Sequence, residues 1–165
     1  MTIQYDGSDF HGWQVQARGR TVQGDIENAL SVIYPDEKIT LIGAGRTDAG
    51  VHALGQAANI KLPNKLSAES LQNALNGNLK RDVRIDNVDG VNDDFHARFS
   101  ATERAYLYRI LNRRPPPVLD KGRVWHLIAP LDSEAMDKAA QALVGFHDLT
   151  SFRSVHCQAE SAEKT

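Results

Sequence analysis

The sequence predicts an α+β fold, and three observations predict it. Strand-length apolar runs and two segments of helical periodicity follow each other over residues 1–94 as strand, helix, strand, strand, helix, strand. Each helical segment opens on a hydroxyl residue suited to cap it, Thr21 and Ser67. Residues 95–165 add a strand pair and one more helix, too few elements for a stable half-domain by themselves.

The elements follow in order. Residues 2–5 read as a short strand, and Asp6-Gly7-Ser8 is turn chemistry. Phe10 and Trp13 sit in a glycine-bearing loop, where Trp13 is expected to pack against the core edge. Arg18 and Arg20 lie just before Thr21, either reaching for a polyanion or simply solvated. Val22, Ile26, Ala29, Leu30 and Ile33 make one helical face, which Pro35 closes. Residues 38–42 and 56–62 read as strands. A second helix buries Ala68, Leu71, Leu75 and Leu79, and Asn76-Gly77-Asn78 is expected to end it early or distort its last turn. Residues 83–88 alternate like a strand. This order is the ferredoxin-like split βαβ plan.

Beyond residue 94 comes a connector through Phe95 and Phe99. Residues 103–112 alternate strictly, with Tyr106, Tyr108 and Ile110 on one face. Pro115-Pro116-Pro117 is a stiff break. Residues 124–128 read as a strand. Asp132 or Ser133 then caps a helix whose Ala135, Met136, Ala139, Ala140, Leu143 and Val144 are expected to face inward. After Phe152 the chain turns polar. The domains expected are thus 1–94, carrying loop 43–53, and 95–165, the start of a second αβ domain that is incomplete.

That loop is the most chemical stretch of the chain. The apolar run 39–42 leads into Gly43-Ala44-Gly45-Arg46-Thr47-Asp48-Ala49-Gly50-Val51-His52-Ala53. Glycines let the backbone approach other groups closely, and a guanidinium and a carboxylate stand two residues apart between them. Asp and Gly are also ordinary turn residues, so composition alone leaves a site and a connection equally open. The spacing matches neither a phosphate-cradling loop nor a dinucleotide fingerprint.

Composition narrows the classes. Of 165 residues, 41% are hydrophobic and 24% charged, as in ordinary soluble domains. No apolar run approaches the roughly 20 residues a membrane helix needs. No signal-like region follows Met1, and Cys157 stands alone, so neither an internal disulfide nor a cysteine metal cluster is expected. A cytoplasmic protein without membrane or metal partners follows. The net charge of −2 is unevenly spread. Residues 95–125 hold 7 Lys and Arg against 2 Asp and Glu, whereas residues 1–94 hold 9 against 13. Such a patch attracts phosphates, unless its long side chains merely solvate a strand face.

Several blocks together carry a resemblance. Gly45-Arg46-Thr47-Asp48-Ala49-Gly50-Val51-His52-Ala53 resembles the signature of the TruA family of tRNA pseudouridine synthases. Tyr5-Asp6-Gly7-Ser8-Asp9-Phe10-His11-Gly12-Trp13-Gln14 resembles its opening motif, and Thr21-Val22-Gln23-Gly24-Asp25-Ile26-Glu27 the start of its first helix. Phe95-His96-Ala97-Arg98-Phe99-Ser100-Ala101 and Tyr106-Leu107-Tyr108-Arg109 resemble later blocks.

The resemblance implies a second αβ half whose mostly antiparallel sheet continues the first, with its C-terminal portion missing here. It implies conversion of uridine to pseudouridine in the anticodon stem-loop of tRNA, with Asp48 as nucleophile. Arg46 would help hold the flipped nucleotide, and Tyr106 would stack on the uracil. Arg98 and His52 would support the site. No cofactor is implied, because no electron moves and no group is added. The partners implied are tRNA and a second subunit, as a homodimer. Arg104, Arg109, Arg113, Arg114, Lys121 and Arg123 would contact the RNA backbone.

Two other classes fit parts of the chain. An RNA-binding module without chemistry would need only the basic segment and exposed aromatics. A hydrolase with an Asp nucleophile would need a second carboxylate across the bond, and loop 43–53 contains none besides Asp48.

Overall fold

A computed structural model describes residues 1–63, 66–153 and 161–164. The chain is mixed α and β, and it divides into two compact units, Met1–Leu107 and Tyr108–Thr165.

The first unit contains β1 (Thr2–Tyr5), α1 (Val22–Ile33), β2 (Ile42–Gly43), β3 (Ala53–Asn59), α2 (Ala68–Asn78) and β4 (Val83–Asn87). The strands form one sheet in the order β2-β3-β1-β4, every neighbouring pair antiparallel. Each helical connection therefore joins two strands that a third separates. Thr21 caps α1 by accepting the Gly24 N–H at 3.2 Å, and Ser67 caps α2 by accepting the Ser70 N–H at 3.1 Å. The apolar stripes of both helices meet the sheet. Val22, Ile26, Leu30, Leu71 and Leu75 join Ile3, Tyr5, Val83 and Ile85 in one core. Each such aliphatic side chain contributes about 1.5–3 kcal/mol by leaving water.

Local details depart from the periodicity in instructive ways. The expected strand 38–42 shrinks to Ile42–Gly43. Glu27 Oε1 accepts the Leu41 N–H at 3.0 Å and Gln23 Nε2 donates to Leu41 O at 3.3 Å. Side chains of α1 thus take the groups a ladder would use, although Ile39 and Leu41 stay buried. Strand β3 begins at Ala53 rather than Gln56 and stops at Asn59, whose Oδ1 accepts the Ala97 N–H at 2.8 Å. Helix α2 runs through Asn76 and Gly77 to Asn78. Asn76 does not break it but clips β4, donating to Ile85 O and accepting Ile85 N–H, both at 2.9 Å.

The second unit is thinner. Strands β5 (Ile110–Asn112) and β6 (Trp125–Leu127) pair in parallel, α3 (Ser133–Gln141) follows, and β7 (His147–Asp148) pairs antiparallel with β8 (Glu163–Lys164). These strands do not extend a common sheet: β5 and β6 pair with each other, as do β7 and β8. A parallel pair needs a crossover of about a dozen residues rather than a hairpin, and Pro115–Pro117 keeps that connection from turning tightly. The alternating stretch 103–112 becomes a strand only at 110–112, and Arg109 O adds one bond to that ladder by accepting the Trp125 N–H at 2.8 Å, while residues 101–108 belong to no strand.

Asp132 caps α3, accepting the Ala135 N–H at 2.9 Å. The expectation that Ala135, Met136, Ala139, Ala140, Leu143 and Val144 face inward is not met, since all six are exposed. The short pairs around α3 offer little apolar surface to bury them. Cys157 lies outside the described residues. Among those described, no helix is long and apolar enough to cross a membrane.

Within the first unit, Ala97 and Arg104 lie beyond the last strand of the sheet and bond back to Asn59 and Ala44.

Candidate active site

Loop 44–52 connects β2 to β3 at one end of the first sheet. Its backbone is held by segment 5–13, which β1 places alongside. Tyr5 pairs with Ala53, the first residue of β3, so its side chain reaches the loop. The Trp13 N–H donates to Thr47 O at 3.0 Å, and the Gly50 N–H donates to Phe10 O at 3.3 Å. Gly12 takes φ +94°, and a Cβ there would stand 2.7 Å from Thr47 O. A Cβ at Gly7 would run into the Val51 carbonyl. Glycine at these two positions is therefore a condition for the two segments to touch.

The bracing segment is itself fixed. The Arg20 guanidinium bonds Asp82 through both terminal nitrogens, one at 2.8 Å, and also bonds Asp25. It lies 4.2 Å from the centroid of the Phe10 ring. The hydrogen bond to Arg20 is the main reason the Asp82 carboxyl titrates below its ordinary range. Of the two readings weighed for Arg20, solvated charge or polyanion contact, neither describes these bonds: its donors point inward, to Asp25 and Asp82.

On the other flank, Gln56 Nε2 donates to Gly45 O at 2.8 Å. Arg104 reaches Ala44 O with Nε at 3.0 Å and with a terminal nitrogen at 2.8 Å, and the same nitrogen donates to Arg98 O at 2.8 Å.

Held this way, the loop presents alternate side chains. Arg46 and Asp48 are exposed, while Thr47 turns inward. The Thr47 hydroxyl is hydrogen-bonded to the Tyr5 hydroxyl at 2.8 Å. Burial raises the Tyr5 phenol above its ordinary range, the Thr47 bond works against this, and the neighbouring Tyr106 adds to it. The exposed Asp48 carboxylate has no hydrogen-bond partner among the described residues.

The Tyr106 hydroxyl lies 3.7 Å from the Cβ position of Gly45, and its side chain is largely exposed. Tyr106 thus stands beside Gly45, in the loop that carries Arg46 and Asp48. His52 sits lower: its Nδ1 is 3.1 Å from Asp6 Oδ1 and 3.3 Å from the Gly7 N–H. It ties the base of the loop to the turn after β1. The Arg98 guanidinium lies 6.0 Å from the Phe99 ring, and its carbonyl serves Arg104. Among the described residues no cluster of three His, Cys, Asp or Glu side chains could hold a metal.

Sequence reasoning missed Tyr5, Gln56 and the bracing role of Arg104, and gave Thr47 no task. Tyr5 and Arg104 are far from the loop in sequence, so no local spacing could have marked them.

The family model described as tRNA pseudouridine synthase matches residues 1–100. The chain belongs to the tRNA pseudouridine synthase family. The tRNA pseudouridine synthase A of Caulobacter sp. strain K31 is 51% identical over 166 residues, covering 100% of this chain and 66% of its own length. That of Rhodospirillum centenum is 52% identical and covered to 67%, and that of Bartonella bacilliformis 49% and 68%. The chain thus spans about two thirds of the length of these relatives.

Proposed function

We propose that this chain is the part of a tRNA pseudouridine synthase that carries the reactive carboxylate, and that it acts on uridines of the anticodon stem-loop with Asp48 as nucleophile. The observation that carries the proposal is the presentation of Asp48: exposed, on a backbone fixed by Trp13, Phe10 and Arg104. Preorganisation of that kind removes the entropy of bringing a catalytic group to its target.

The reaction breaks the ribose C1′–N1 bond and forms C1′–C5, while C5 releases a proton and N1 gains one. Asp48 either attacks C1′ or removes a ribose proton, and the exposed carboxylate serves both routes. The target uridine must leave its stack to reach a loop crest. Arg46 beside Asp48 offers a planar set of donors for a phosphate or base edge. Tyr106 offers an aromatic face for the uracil. His52 and Arg98 support the site from its base and flank.

The scaffold of residues 1–94 is assigned within this reading to the ferredoxin-like plan, which the strand order and antiparallel pairing support. A cytoplasmic homodimer, one tRNA lying across both subunits, belongs to the same reading, and a light-scattering mass tests it.

The deciding measurement is tritium release from tRNA labelled at uridine C5, with Asp48→Asn in parallel. Release should fall by roughly 10³-fold or more in the variant while tRNA binding survives. Normal turnover by the variant would overturn the nucleophile assignment.

A second reading, RNA binding without chemistry by this two-thirds of the relatives' length, is favoured by the excess of 7 basic over 2 acidic residues in 95–125. Salt-dependent tRNA affinity without release supports it, and no salt-dependent affinity at all would sink both readings.

A further inference from the structure

Residues 101–108 pair with no strand, yet they deliver Tyr106 to loop 44–52. Something other than a ladder must fix them there. Burial does not, since residues 102–109 are all exposed. In this stretch Arg104 hydrogen-bonds back to the loop.

We infer that Arg104 is a positioning residue, whose forked contact with the Ala44 carbonyl pins segment 101–107 across the loop and so sets Tyr106 beside Gly45, in the loop that carries Asp48. The inference rests on the proposed function for the role of Tyr106, and its geometry stands independently.

The geometry has three parts. Nε and a terminal nitrogen of Arg104 both donate to Ala44 O, at 3.0 and 2.8 Å. The same terminal nitrogen donates to Arg98 O at 2.8 Å, closing the turn that precedes the segment. Along the loop, Gly45 follows Ala44, and a Cβ at Gly45 would lie 3.7 Å from the Tyr106 hydroxyl and 3.8 Å from Arg104 Cδ. One planar cation therefore joins the stem of the loop, the turn at residue 98 and the strand-like segment carrying Tyr106. A lysine at this position keeps the charge but offers a single point donor without the fork. Charge and fork can thus be separated by substitution.

The two roles open to Arg104 predict different results. A phosphate contact should be served by lysine, and its removal should lower the salt slope of tRNA binding by about one unit. A positioning fork should not be served by lysine, and should leave that slope alone. The experiment compares wild type, Arg104→Lys and Arg104→Ala in three readouts: tritium-release kinetics, the salt dependence of tRNA affinity, and the fluorine resonance of 3-fluorotyrosine placed at Tyr106.

Expected are a drop in kcat of about tenfold or more in both variants, KM within about twofold, an unchanged salt slope, and a sharpened, solvent-like resonance at position 106. Combining Arg104→Ala with Tyr106→Phe should cost less than the product of the two single effects. Turnover restored by Arg104→Lys, or a salt slope lowered by about one unit in Arg104→Ala, would overturn the inference. So would a wild-type resonance at position 106 in both variants. If Asp48→Asn proved fully active, the proposed function would fall. The fluorine resonance would still decide whether Arg104 holds the segment.

Discussion

Helices α1 and α3 follow the same local rules. Thr21 and Asp132 each accept the amide three residues on, at 3.2 and 2.9 Å. Each helix has an acidic residue in its first turn, Asp25 and Glu134, which suits the positive end of the helix dipole. Each carries an apolar stripe. Yet α1 buries Val22, Gln23, Ile26, Ala29 and Leu30, and α3 buries none of its residues. Capping and periodicity make a helix; only a neighbouring surface makes its stripe into core. Helix α1 has a four-stranded sheet and α2 to meet, whereas the pairs in the second unit offer two or three residues per strand.

The contrast extends to the units these two helices belong to, and there it is sharpest in large-to-small substitutions. Leu75→Ala, at a side chain with 0% exposure, should lower the stability of the first unit by about 2–5 kcal/mol. Leu143→Ala, at 50% exposure, should change stability by less than about 0.5 kcal/mol. Urea unfolding followed through Trp13, in a background with Trp125→Phe, measures both. A comparable loss in Leu143→Ala would break the comparison.

The caps give a smaller test. Thr21→Ala should cost about 1 kcal/mol on the transition that Trp13 reports, because α1 unfolds with its core. Asp132→Ala should lower the helical circular dichroism signal without moving that transition. If it did move the transition, α3 would be coupled to the core and the contrast would weaken.

The smallest effect is in acid. Arg20 holds the Asp82 carboxyl below its ordinary value of 3.8. A depressed folded value contributes stability that is present above the unfolded value and is lost as pH falls through the folded one. The first unit should therefore weaken below about pH 4, and Arg20→Met should flatten that part of the profile while lowering stability at neutral pH. In the second unit Asp148 is also held low, by hydrogen bonds from Thr150, but both groups are exposed and belong to one turn. Thr150→Val should leave the acid profile of the Trp13 transition as it is.

What the sequence made legible was local. Thr21, Ser67 and Asp132 announced three helices, and alternation announced β1 and β4. Asp48 and Arg46 were picked out by a motif, and their exposure follows from a short loop with Thr47 turned in. What it hid was tertiary. The strand at 38–42 lost its ladder to Glu27 and Gln23, a competition that no pattern within residues 38–42 encodes. The alternation at 103–112 described a strand of which only residues 110–112 found a partner. Helix α3 displayed a stripe, and periodicity states that a face is apolar without naming what covers it. Arg104 was read only as an RNA-backbone contact, and neither its reach nor that of Tyr5 to the loop was foreseen, because each meets the loop only after the sheet has formed.

The meeting of Gly7 and Gly12 with the loop backbone has a consequence for genetics. Neither residue has a side chain with which to do chemistry, and neither position has room for one. With Asp48 as the nucleophile proposed above, a selection for inactive alleles should return substitutions at Gly7 and Gly12 alongside those at Asp48, with equally severe phenotypes. Second-site suppressors would tell the classes apart. A displaced loop can be eased back by trimming a neighbour, whereas an absent carboxylate has no such remedy. A map of intolerant positions alone would draw the catalytic centre too large, extending it into the opening turn that only shapes it.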